Sequence, residues 1–81
     1  MENMSDIKES VYDVVIYQTQ MGQDTINEVS LIPIACKYEI SCDLAEEYDI
    51  ELEMEDMEEV TNVGELITLV ESKINEKDDN G

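Results

Sequence analysis

Near the start of the chain Ile7, Val11, Val14 and Val15 recur at i, i+4, i+7 and i+8, the spacing of one helical face. Ser5 or Asp6 stands just ahead of that face, where a helix N-cap belongs. The β-branched run VVIY at 14–17 favours a strand locally, but the longer periodicity predicts a helix. From Gln18 to Ile32 the pattern lapses, and Gly22 and Asn27 mark a long loop. Ile26, Val29, Leu31 and Ile32 are its apolar residues, able to tuck parts of it into the core. Pro33, the only proline, suits the first turn of a second helix, where its missing N–H costs nothing. In that helix Ala35, Ile40, Leu44 and Tyr48 fall on one stripe, and Glu39, Asp43, Glu46 and Glu47 are left to face water.

The stretch DIELEMEDMEEV begins with strand-like alternation of Ile50, Leu52 and Met54, then shifts to helical spacing at Met57 and Val60. A lone strand has no pairing partner elsewhere, so 49–54 reads as an extended connection and 55–60 as a short helix. Asn62 with Glu65 three residues later predicts a capping box. The final helix that follows carries Val63, Leu66, Ile67, Val70 and Ile74, and NEKDDNG reads as a solvated tail. Four amphipathic segments and no strand pair predict one all-α domain over 1–81: a bundle of three main helices plus one short helix, with a long loop between the first two. Residues 1–4 and 76–81 are expected to fray.

Charge narrows the partners. The 22 Asp and Glu face only 4 Lys, a formal net charge of -18, which repels nucleic-acid backbones and anionic membranes. Basic protein patches, metal cations or a target that normally binds a polyanion are the partners this charge predicts. A mimic occupying a nucleic-acid site has this charge in its favour and nothing else. Because 42% of the residues are hydrophobic and cluster periodically, a folded domain is expected rather than disorder. Cys36 and Cys42 are six apart, about 9 Å along a helix and on different faces, too far for a disulfide. Reduced thiols, an N-terminal stretch without the apolar core of a signal peptide, and no apolar run of spanning length make the expected location cytoplasmic.

Intrinsic chemistry is not expected. The chain has no His and no nucleophile–base pair, so no enzyme activity is predicted. The alternating acids Asp49, Glu51, Glu53 and Glu55 lack the central glycine of a calcium loop, and two cysteines make no zinc set. No metal site is predicted. Met21, Met54 and Met57 could soften a pocket, though plain core filling is their commoner use.

A family likeness rests on DLAEEYDIELEMEDMEEVTNVGELITLV, residues 43–70. It resembles the second half of acyl carrier proteins: an acidic helix ending in acid, aromatic and Asp (EEYD), an extended IEL step, an acidic short helix (MEDMEEV) and a Thr-x-Val-Gly-Glu-Leu helix start (TNVGEL). The first helix is similar too. The resemblance implies a carrier-type module of fatty-acid, polyketide or peptide assembly, docked by an acidic face on basic patches of acyl-processing enzymes. It places Glu39, Glu46 and Glu58 on that partner-binding face. Nothing in the sequence asks for a dimer, so a monomer is expected. It also implies 4'-phosphopantetheine, if the chain is modified at all, on the serine of an Asp-Ser-Leu motif opening the second helix.

Counted back without gaps from Tyr48 and Leu44, that motif falls on Pro33, Ile34 and Ala35. The serine position is Ile34, which has no nucleophile. Ser30 is then the only credible attachment serine, and it requires a one-turn extension of the second helix, which would rotate the attachment point by about 40°. Otherwise Ser30 is an ordinary loop or capping serine. Cys36 could hold an acyl group directly, though a structural thiol is the commoner case. The alternative to a carrier is a non-carrying acidic docking or regulatory protein with the same fold.

Overall fold

The computed structural model describes residues 4–80, with side chains from Asp6 to Lys77. Four α-helices follow in order: α1 (Met4–Thr19), α2 (Lys37–Tyr48), α3 (Met54–Glu58) and α4 (Val63–Asn80), with a 3₁₀ turn over Ile34–Cys36 leading into α2. Among the described residues there is no strand, only one isolated bridge, Leu31 with Asn62. The all-α expectation therefore holds, and α1 packs on both α2 and α4 while α2 packs on α3.

Periodicity explains the core. Ile7, Val11 and Val15 of α1, Ile40 and Leu44 of α2, Met57 of α3, and Val63, Leu66, Ile67 and Val70 of α4 meet in one buried cluster. Helices α1, α2 and α4 each give up one apolar stripe and α3 gives Met57, while most of the described acids stay exposed and Asp43, Asp56 and Glu71 are half-buried. Val14 is half-buried at the edge of this cluster, as are Tyr48 and Ile74. Helices α1 and α2 both end in a left-handed residue without using glycine: Gln20 at φ 64° and Asp49 at φ 54°. Their N–H groups close on Ile16 O at 2.8 Å and on Ala45 O, satisfying carbonyls that the helix leaves over.

Several expectations change. Of the apolar residues in the first connection, Ile32 is buried and Ile26 half-buried, but Val29 and Leu31 point to water. Ala35 is exposed as well, because the chain enters α2 through a 3₁₀ turn, whose tighter winding shifts the face. The short helix runs 54–58 rather than 55–60 and is closed by a reciprocal cap between Glu53 and Asp56. Val60, just beyond it, is buried in the core cluster. The expected frayed tail is helical as far as Asn80, with Lys77 reaching back to the Tyr48 carbonyl and the Asp49 carboxylate at 3.2 Å each. Residues 1–3 and 81, part of the expected fraying, lie outside the described residues.

Candidate functional site: the start of α2 and the acidic face

The start of α2 has little local support. Pro33 is extended (φ -60°, ψ 134°) and neither it nor Cys36 gives the following turn a side-chain cap. Pro33 thus precedes the helical winding instead of lying within the first turn. The 3₁₀ turn begins at Ile34, whose side chain is 83% exposed. Tyr38, one turn on, is also exposed, and its phenol is pushed up by a hydrogen bond with the Cys42 thiol.

Ser30 does not join this helix. Its Oγ accepts the Asn27 N–H at 2.9 Å, its own N–H donates to Asn27 O at 3.0 Å, and its carbonyl accepts the Val63 N–H at 3.0 Å. The one-turn extension that would have made Ser30 an attachment point is absent, because Asn27 holds the serine in a turn and Val63 holds its carbonyl against the start of α4. Cys36 is half-buried, its thiol directed at Gln18 O at 3.6 Å. Cys42 is a free, exposed thiol on α2.

The start of α4 contrasts with this. Asn62 Oδ1 accepts the Glu65 N–H at 2.9 Å, as a capping residue should. The reciprocal arm reaches one residue further than a capping box predicts: Glu65 accepts both the hydroxyl and the N–H of Thr61. Those bonds, the hydroxyl's above all, hold the Glu65 carboxyl below its ordinary range. Gly64 lets the loop come close, its N–H donating to Glu28 O at 2.8 Å. A Cβ there would lie 3.2 Å from that same oxygen.

The acids of α2, α3 and the step between them outnumber the lysines that pair with them. Residues 39–59 hold eleven acids and no base. Lys77 and Lys73 of α4 pair with Asp49 and Asp56 at 3.2 and 3.3 Å, and Lys8 pairs with Glu28 at 3.2 Å. Lys37 is 9% exposed at the first residue of α2, where its charge helps hold Glu65 down. Glu39 and Glu46 are exposed and two turns apart, hence on one side of α2. Glu58 is exposed on α3, which packs on α2. Asp43, expected in water, is half-buried and accepts a 2.6 Å hydrogen bond from Gln18 Nε2. Sequence reasoning missed this tie between α1 and α2, since only the helix packing brings the two residues together.

No family model matches the chain, and no curated protein matches it. Among the described residues no three His, Cys, Asp or Glu side chains converge as a metal set, and no helix is long and apolar enough to cross a membrane.

Proposed function

We propose that this chain is an acyl-carrier-like protein that works as a non-carrying docking or regulatory subunit, meeting basic patches on acyl-processing enzymes of fatty-acid, polyketide or peptide assembly in the cytoplasm. The observation that carries this reading is Ile34, exposed at the start of the helix leading into α2, at the position where the resemblance puts the modified serine. Phosphopantetheine attachment needs a hydroxyl oxygen to attack phosphorus, and isoleucine supplies none. The residues at this helix start therefore do not fit the group. Ser30 offers a hydroxyl, but in the Asn27 turn rather than on the helix.

What remains is recognition. Glu39, Glu46 and Glu58 offer exposed carboxylates on neighbouring helices, and such a field speeds and orients encounter with a basic surface. The protein performs no reaction of its own in this reading.

The test is intact mass after incubation with coenzyme A and a broad-specificity phosphopantetheinyl transferase, beside an ordinary carrier protein in the same tube. The expected result is a modified control and an unmodified chain. An adduct mapped to Ser30 would overturn the reading and make the protein a carrier whose loop rearranges to present that serine.

A further inference from the structure

The water-facing apolar side chains are concentrated. Among the described residues the large exposed ones are Tyr17, Val29, Leu31, Ile34, Tyr38 and Met54, and four of the six fall within 29–38. Leu31 is 70% exposed and Ile34 83%, while Ile32 between them is buried at 5%. The extended backbone before α2 turns Ile32 inward and Leu31 outward, as strand-like alternation requires. Ile34 in the 3₁₀ turn and Tyr38 in the first turn of α2 are four residues apart, both at this helix start. An exposed apolar patch rimmed by charge marks an interaction surface more often than a folding requirement.

The rim identifies the occupant. Glu39 follows Tyr38 directly, Glu46 lies two turns on, and the nearest lysine in sequence, Lys37, is turned in at 9% exposure. A second copy would bring another -18 charge and a second acidic rim against the first, which opposes self-association. A partner with basic residues around an apolar pocket has neither conflict.

We propose that Leu31, Ile34 and Tyr38 form an apolar anchor that seats in a pocket of a basic protein partner, with that partner's Lys and Arg side chains against Glu39 and Glu46. The acidic half of this contact rests on the docking reading above; the anchor itself does not. Interfaces of this kind draw their affinity from a few desolvated apolar residues at the centre and their encounter rate from the charged rim.

The probe is a synthetic, fluorescein-labelled amphipathic helix with a leucine stripe flanked by lysines, compared by fluorescence anisotropy with a twin whose leucines are glutamine. The whole chain should bind the leucine peptide about tenfold more tightly than the twin. The variant L31N/I34N changes only exposed side chains, and far-UV circular dichroism checks that it folds. It should lose that preference yet still bind both peptides in a salt-dependent way. E39K/E46K should weaken both peptides while keeping the preference.

No preference in the unaltered chain, or a preference retained by L31N/I34N, overturns the anchor. E39K/E46K binding both peptides with undiminished affinity at low salt overturns the docking reading and leaves the anchor standing. A dimer by sedimentation that L31N/I34N abolishes would give the patch to a second copy and overturn the proposal. So would binding to neutral phosphatidylcholine vesicles that depends on the same two residues.

Discussion

Two helix starts lie side by side in this molecule, joined by the bridge between Leu31 and Asn62, and they are built in opposite ways. At α4, Asn62 accepts the Glu65 N–H and Glu65 accepts the Thr61 N–H, and Val63 and Leu66 are wholly buried. At α2, no side chain caps the first turn, and Leu31 and Ile34 face water. A helix start that is capped and buried serves the fold. One that is uncapped and apolar on its outer side contributes little to folding, which is consistent with the anchor proposed above.

The contrast can be broken most directly by substitution on each side. Leu66→Ala at the buried start should cost about 2–5 kcal/mol, a core truncation that leaves a cavity, whereas Ile34→Ala should stay within about 0.5 kcal/mol, as an exposed position does. Urea unfolding of the two variants decides it; a comparable loss at Ile34 would mean that α2 begins on a packed residue after all.

A smaller effect belongs to the cap. Asn62→Ala should lower stability by about 1 kcal/mol, read as a shift in thermal midpoint with an unchanged far-UV spectrum. If the midpoint does not move, Thr61 and Glu65 alone hold the start of α4.

The smallest effect concerns pH. Glu65 is held below its ordinary range by Thr61, so its contribution is full above the unfolded carboxylate value and is lost as pH falls through the folded one. Glu65→Gln removes this titration. The midpoint gap between the native chain and this variant should therefore be widest near neutrality and close in acid. A gap that is constant with pH would remove the ionised form from the cap.

The sequence by itself determined the helices and much of the core, because 3.6-residue periodicity is local: Ile7, Val11 and Val15, Ile40 and Leu44, and Val63, Leu66, Ile67 and Val70 are buried as their spacing requires. It also located the Asn62 cap, whose acceptor and donor are three residues apart. The last turns of α4 were less legible, since their ties to Tyr48 and Asp49 span 29 and 28 residues.

The candidate site divides in the same way. That Ile34 lacks a hydroxyl is a matter of sequence. Only the tertiary structure decided that Ser30 belongs to the Asn27 turn and the α4 start, and that Leu31 faces outward while Ile32 faces in. In an irregular connection no period tells one apolar residue from the next. Burial there is set by which backbone groups the distant α4 start engages.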